Sequence, residues 1–459
     1  MAHTFNPTIL REYDIRGIVG DTLSEADAYA VGRTYAAIAQ GEGARRIAVG
    51  RDGRTHSGML EAALVRGLTE GGVDVVQVGM GPSPMLYFAT FHLDVDGGIQ
   101  VTGSHNPADY NGFKLLLNGR SVFGSEIQEI GRRSAAGEWS SGAGTVEEVD
   151  VREAYVDRLL DDFSGSALRV GWDAGNGAAG PVLDMMVERL PGHHHVLFSQ
   201  VDGAFPNHHP DPTVEANLAD LKALVAREQL DFGLAFDGDG DRIGAVDGMG
   251  RVIWGDQLML ILAEAVLKEL PGATIIADVK ASQVLFDGIA ALGGKPLMWK
   301  TGHSLIKSKM KETGAPLAGE MSGHIFFKHR WYGFDDALYA ALRLIEAVSA
   351  SGRSLTEIMD AMPRSVATPE MRFAVDEARK FAVVDEVRQR LSADGAKVDA
   401  TDGVRVSTGD GWWLLRASNT QDVLVARAEA KDKAGLDRLV EQIDGQLAKS
   451  GMTRTEATH

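Results

Sequence analysis

A chain of 459 residues carrying a formal net charge of −18, with no run of Lys and Arg longer than two, would repel a nucleic acid, so no nucleic-acid partner is expected. With 44% hydrophobic and 24% charged residues it reads as globular, and no apolar stretch approaches the roughly 18 residues of a membrane span. The 0 cysteines exclude disulfides and thiolate metal sites, and Arg11, Glu12 and Asp14 interrupt any secretory leader, so a cytoplasmic protein without a membrane partner is expected.

The length suggests several domains, and the element pattern supplies them. Strands are predicted at Ile47 to Val49, Val73 to Val78 and Ile99 to Val101, with an amphipathic helix from Met59 to Thr69. A Ser-, Gly- and Ala-rich connector is expected over Arg132 to Gly144. The alternation then returns with strands at Leu168 to Trp172, Val196 to Val201 and Phe232 to Phe236, and again at Thr274 to Ala277 and Pro296 to Trp299. The tail differs. Gly403 to Ser407 and Trp412 to Leu415 flank the turn Thr408-Gly409-Asp410-Gly411, a third strand covers Val423 to Ala428, and a helix covers Leu436 to Leu447. The fold class is therefore α/β, with three tandem α/β domains over 1–150, 151–251 and 252–365 and a smaller α+β domain over 366–459.

Chemistry-bearing residues gather where predicted strands end. The first strand group runs into Thr102-Gly103-Ser104-His105-Asn106-Pro107, which projects Ser104 where open α/β sheets hold ligands. As a phosphoserine it would store a phosphoryl group, although the hexapeptide alone reads equally well as a polar turn. Lys114 could return a cation to the same place. Phe232 to Phe236 ends in Asp237-Gly238-Asp239-Gly240-Asp241-Arg242, three carboxylates able to converge on a hard cation, with Arg242 beside it for a phosphate. A calcium EF-hand is excluded, because the sixth loop position is Arg242 and the twelfth is Gly248. Mg²⁺ is the expected ion.

In Gly319-Glu320-Met321-Ser322-Gly323-His324, Glu320 and Ser322 suit sugar hydroxyls and His324 suits a proton shuttle. Arg416-Ala417-Ser418-Asn419-Thr420 offers a bidentate guanidinium with hydroxyl, amide and backbone donors for a phosphate. Lys280 and the loop Lys300 to His303 also end strands. The glycine-rich Asp173 to Gly180 lacks the ribose-binding acid of a dinucleotide site and reads as a tight turn; His193 to His195 and His208-His209 read as surface loops.

Together with Glu12 to Gly17 and Gly50-Arg51-Asp52, these loops in this order resemble the α-D-phosphohexomutases, most closely the bacterial phosphomannomutase/phosphoglucomutase branch. The resemblance implies three topologically similar α/β domains with mixed sheets and a smaller fourth, heart-shaped around a central cleft. It implies reversible interconversion of hexose 1-phosphate and hexose 6-phosphate, of mannose or glucose, through a phosphoserine and a hexose 1,6-bisphosphate that also serves as activator. Ser104 becomes the phosphoserine, and Mg²⁺ is held by Ser104, Asp237, Asp239 and Asp241. Glu320 and Ser322 bind the sugar, while Arg416, Ser418, Asn419 and Thr420 hold the idle phosphate, with Tyr13 and Arg427 nearby. Arg16, Lys114, Arg242, Lys280, His303 and His324 contact the cleft, and Lys114 or His324 acts as general acid/base. A monomer with a phosphosugar substrate is expected. Thr102-Gly103 and Met321 differ from the S-A-S-H-N-P and G-E-Q-S-G-H of amino-sugar mutases, which leaves phosphoglucosamine as the alternative substrate and a metal-dependent sugar phosphatase as the alternative enzyme. Ser83, where a Thr is commoner, is expected to affect nothing catalytic.

Overall fold

Four β-sheets follow one another along the chain in the computed structural model, which describes residues 2–419 and 421–452. The first has the strand order Ile15–Ile18, Tyr110–Leu117, Gly97–Val101, Arg46–Arg51, Asp74–Met80, Val146–Glu148, with Arg120–Ser121 paired to Tyr110–Leu117. The second is ordered Val252–Ile253, Ile243–Asp247, Phe232–Phe236, Leu168–Asp173, Gly192–Leu197. The third is ordered Lys295–Trp299, Thr274–Asp278, Leu317–Gly319, Ile325–Phe327. All three are mixed, and they share one arrangement: three parallel strands in succession, the third followed by an antiparallel return, to which the first sheet adds Val146–Glu148 as a fourth parallel strand. The fourth sheet is antiparallel, with the hairpin Gly411–Ala417 and Val423–Ala430 at its centre.

That arrangement positions the site. Residues 102–109, 237–242 and 320–324 each connect the third parallel strand of a sheet to its antiparallel neighbour, and residues 418–422 connect the central hairpin of the fourth. A strand buried on both faces, such as Phe232–Phe236, is apolar throughout, so polar chemistry can begin only where it ends.

Packing divides the molecule unequally. One core joins side chains from the first three α/β units, including Phe88, Trp172 and Leu338, whereas the fourth unit closes its own core around Trp413, Leu424 and Leu439. Val279, Trp412 and Leu414 form a small apolar joint between the third and fourth units. Among the described residues no helix is long and apolar enough to cross a membrane.

Three local expectations are corrected. The strand placed at Val196 to Val201 lies at Gly192–Leu197, so His193 to His195 belong to a strand rather than a loop. It is a half-exposed edge strand, where imidazoles are tolerated, and it stops where Phe198 takes φ 53°. The connector expected from Arg132 begins inside the helix Ser125–Ala136, whose small Ser134 packs inward with Ile127 and Ile130 and which ends at left-handed Gly137. His208 is no free surface residue, because its Nε2 lies 3.0 and 3.1 Å from the two oxygens of fully buried Asp173.

Candidate active site

Ser104 sits on a loop that a buried ion pair shapes from beneath. Asp52 accepts from Thr102 Oγ1 at 2.8 Å and Gly103 N at 3.1 Å, and pairs with Arg54 at 3.2 Å. The Arg54 guanidinium then donates to the carbonyls of Ser104 (2.7 Å), Asn106 (2.6 Å), Pro107 (2.5 Å) and Tyr110 (3.0 Å). Four carbonyls drawn to one side chain hold Ser104 at φ 50°, a left-handed conformation that costs a non-glycine residue about 1 kcal/mol or more. Arg16, paired with Asp14, ties the same loop by donating to Asn106 Oδ1 (2.6 Å) and Gly103 O (3.2 Å). Sequence reasoning gave neither Asp14 nor Arg54 a role in the site.

The aspartate loop meets this serine directly. Ser104 Oγ donates to Asp237 Oδ2 at 3.2 Å and lies 3.2 Å from His105 Nδ1. The approach needs Gly238, since a Cβ there would fall 2.4 Å from the Ser104 carbonyl oxygen. Asp237 Oδ1 accepts from the Asp241 and Arg242 amides, both at 3.1 Å, which fixes the loop's curl. Ser83 donates to Asp239 Oδ2 at 2.5 Å, so that position supports a carboxylate of the trio, a task any hydroxyl residue there performs. Lys114 Nζ bridges Asp239 Oδ2 (2.7 Å) and Asp241 Oδ2 (2.5 Å).

These residues suit a hard divalent cation. Ligand atoms of Asp237, Asp239 and Asp241 lie within 4.8 Å of one another, all fully buried, and Asp239 Oδ1 and Asp241 Oδ1 make no hydrogen bond among the described residues. Burial and the charges of its two neighbours push the Asp237 carboxyl well above its usual range, a strain that a bound cation would relieve.

The sugar loop joins the aspartate loop by backbone pairing, with Arg242 bridged to His324 and Ile243 N donating to Gly323 O at 3.0 Å. His324 is thereby held between carboxylates: Nε2 lies 3.3 Å from Asp241 Oδ1, and Nδ1 lies 3.0 Å from Glu320 Oε2 and 2.9 Å from Ser322 Oγ. Burial disfavours its imidazolium, but Asp241 and Glu320 outweigh burial and the opposing Arg242, raising the pKa to about 9. Burial also works against the Lys114 ammonium, and Asp239 and Asp241 overcome it. Both acid/base candidates thus hold their protons at neutral pH. His303 stacks on His324 at 5.7 Å, and burial with nearby Lys307 keeps its ring neutral. Its Nδ1 faces Asp335 Oδ2 at 3.8 Å, and Asp335, also unforeseen, pairs with Lys307 at 3.0 Å.

Asn419 Nδ2 donates to the Tyr13 hydroxyl at 2.7 Å, bringing the phosphate loop to the first unit. Ser418 Oγ accepts from Gln421 N at 3.2 Å, and Thr420 lies outside the described residues. Lys280 pairs with Glu370 at 3.2 Å, a contact that holds the Glu370 carboxyl down to about 2. Arg427 is committed to the joint between the third and fourth units, donating to Lys280 O and facing Asp256 Oδ2 at 3.6 Å.

Known proteins resemble the chain along nearly its whole length. The chain matches the phosphoglucomutase/phosphomannomutase alpha/beta/alpha domain I over residues 7–140, domain II over 153–250, domain III over 254–366 and the C-terminal domain over 370–446. It is 45% identical over 447 residues to a phosphomannomutase/phosphoglucomutase of Pseudomonas aeruginosa, covering 97% of this chain and 96% of the relative. It is 44% identical over 436 residues to a phosphoglucomutase of Neisseria gonorrhoeae, covering 94% and 95%. A crystal structure of a phosphoglucomutase/phosphomannomutase family protein from Burkholderia thailandensis superposes with a TM-score of 0.93 at 42% identity, covering 98% of this chain and 99% of that one.

Proposed function

The chain belongs to the phosphoglucomutase/phosphomannomutase family, and from that premise we propose that it interconverts hexose 1-phosphate and hexose 6-phosphate, of mannose or glucose, with Ser104 as phosphoryl carrier. The observation that carries the reading is the convergence of Ser104 Oγ, 3.2 Å from Asp237, with Lys114 bridging Asp239 and Asp241. Domain limits at 150/151, 251/252 and 365/366 give each of these loops its own α/β unit.

Phospho-Ser104 gives its phosphoryl group to the free hydroxyl of a bound hexose phosphate. The phosphorus–Oγ bond breaks, a phosphorus–oxygen bond to the sugar forms, and the hydroxyl proton leaves to a base while Oγ is protonated. The resulting 1,6-bisphosphate turns end for end and returns its other phosphoryl group to Ser104. Asp237, Asp239 and Asp241 would hold Mg²⁺, which supplies charge neutralisation at the transferring oxygens. Arg242 adds a second positive charge there, and Arg16 keeps the serine loop in place. Glu320 and Ser322 recognise adjacent sugar hydroxyls, and His324, already protonated, can deliver a proton to a leaving oxygen. Arg416, Ser418, Asn419 and Thr420 hold whichever phosphate is not reacting, with Tyr13 and Arg427 nearby, and Lys280 and His303 contact the substrate cleft. A hexose 1,6-bisphosphate would serve as activator by phosphorylating free Ser104.

Intact-protein mass spectrometry with peptide mapping, paired with assays on mannose 1-phosphate and glucose 1-phosphate, tests this. One phosphoryl adduct on Ser104 and isomerisation of at least one substrate are expected. Release of inorganic phosphate as the main product would overturn it in favour of a phosphatase.

A further inference from the structure

The peptide units of Thr301 and Gly302 are bonded to three separate parts of the molecule. Thr301 N donates to Asp402 Oδ2 at 3.1 Å, Tyr13 donates its hydroxyl proton to Thr301 O at 2.8 Å, and Gly302 N donates to Glu320 Oε1 at 2.6 Å. Gly302 is shaped for this junction, with φ 132° and room for no Cβ, which would lie 2.4 Å from Tyr13 Cζ. Asp402 Oδ2 simultaneously accepts from Arg416 Nε at 2.9 Å. Both ends of the phosphate loop therefore reach the backbone of one residue, Thr301, Arg416 through Asp402 to its N–H and Asn419 through the Tyr13 hydroxyl to its carbonyl.

We propose that Asp402 is a positioning residue for the substrate's non-reacting phosphate, orienting Arg416 and joining the phosphate loop to the Thr301 peptide; this rests on the phosphate-loop reading above. A guanidinium offers five N–H donors in a rigid fork. Asp402 engages Arg416 only through Nε, which leaves the two Nη groups, unbonded among the described residues, as a bidentate pair for a phosphate. An Arg released from such a partner samples many rotamers, and its alignment must be restored in every binding event. The same carboxylate oxygen fixes Thr301 N, next to the amide that orients Glu320, so the idle phosphate and the sugar are placed by one framework. The two consecutive peptides on either side of Thr301 thus link the groups that would hold the two ends of the ligand. Asp402 touches neither the ligand nor the reacting atoms in this role.

Calorimetric binding of glucose 6-phosphate, which needs no turnover, tests the idea alongside steady-state kinetics with glucose 1-phosphate. Asp402→Ala is expected to weaken binding and raise KM by about 10- to 100-fold with kcat changed by less than about 3-fold. Asp402→Asn keeps an acceptor oxygen without the charge and is expected to recover part of the loss, and it serves as the test variant if the alanine variant folds poorly. Unchanged affinity and KM in Asp402→Asn and Asp402→Ala, or a loss confined to kcat or to melting temperature, overturns the proposal. Arg416→Ala is the control: loss of binding there but not in the Asp402 variants overturns the role of Asp402 alone, whereas full binding in Arg416→Ala overturns the phosphate-loop reading itself.

Discussion

Ser104 Oγ donates a 3.2 Å hydrogen bond to Asp237 Oδ2 across a separation of 133 residues. A serine hydroxyl against a buried carboxylate trio cannot simply be a solvated turn, because the trio is a cost unless it serves a cation or a charge-bearing ligand. Replacing Ser104 with Ala should leave fold and sugar binding intact, abolish the phosphoryl adduct, and lower mutase turnover by at least about 10³-fold. Coupled-assay kinetics and mass spectrometry on one preparation check this, and a variant that keeps its rate would remove Ser104 from the chemistry.

Lys114 competes for the oxygens a divalent cation would use, since its ammonium already bridges Asp239 and Asp241. Lys114→Met removes that competitor with little change of volume. One unit charge at about 4 Å is worth on the order of 4 kcal/mol at an effective dielectric of 20, part of which solvent recovers, so Mg²⁺ binding without substrate should tighten by about 10-fold or more. Turnover should nevertheless fall by about 10²-fold, because a buried proton donor is lost with the charge. Titration calorimetry with Mg²⁺ reads the first effect; weaker Mg²⁺ binding in the variant would show that Lys114 assembles the trio instead of competing for it.

Arg54 holds the nucleophile loop through four carbonyls and Asp52. Lysine cannot reproduce a planar fork serving several acceptors, so Arg54→Lys should destabilise the protein by about 3 kcal/mol and lower kcat together with stability. Urea unfolding measures the first and the mutase assay the second. Normal stability with normal kcat would mean that the loop keeps the left-handed Ser104 without its clamp.

Arg54 also marks the limit of what the chain announces. Asp237, Asp239 and Asp241 were legible because three alternating carboxylates separated by glycines are unstable together without a cation, and the strand before them is uninterrupted. Likewise Phe232–Phe236 and the hairpin around Thr408 to Gly411 follow from local pattern. Arg54 bonds carbonyls, which carry no sequence signature, and Asp335 and Asp402 act on histidine, lysine, arginine and amide groups that only the fold brings near. The shared position of the three α/β loops, each between a parallel strand and its antiparallel return, was hidden for a related reason. Topology repeats there while residue spacing does not.

Protonation of His324 sets a pH dependence whose sign follows from its surroundings. Its pKa stands at about 9 in the fold, against about 6.5 for an unfolded chain. The folded state therefore binds more protons between these values, so the contribution is complete below about pH 6.5 and is lost as pH rises through 9. Its size is on the order of 3 kcal/mol, and a cation engaging Asp241 would reduce it, so the measurement belongs in chelator. Asp336, which burial pushes up to about 7, confounds the lower half of that range, and its effect is largely spent above it. Urea midpoints between pH 7.5 and 9.5, roughly spanning the His324 titration, should decline in the parent chain and stay flatter in His324→Gln. If both chains lose stability in parallel, Asp241 and Glu320 do not hold the imidazolium, and His324 would have to enter the reaction as a neutral base.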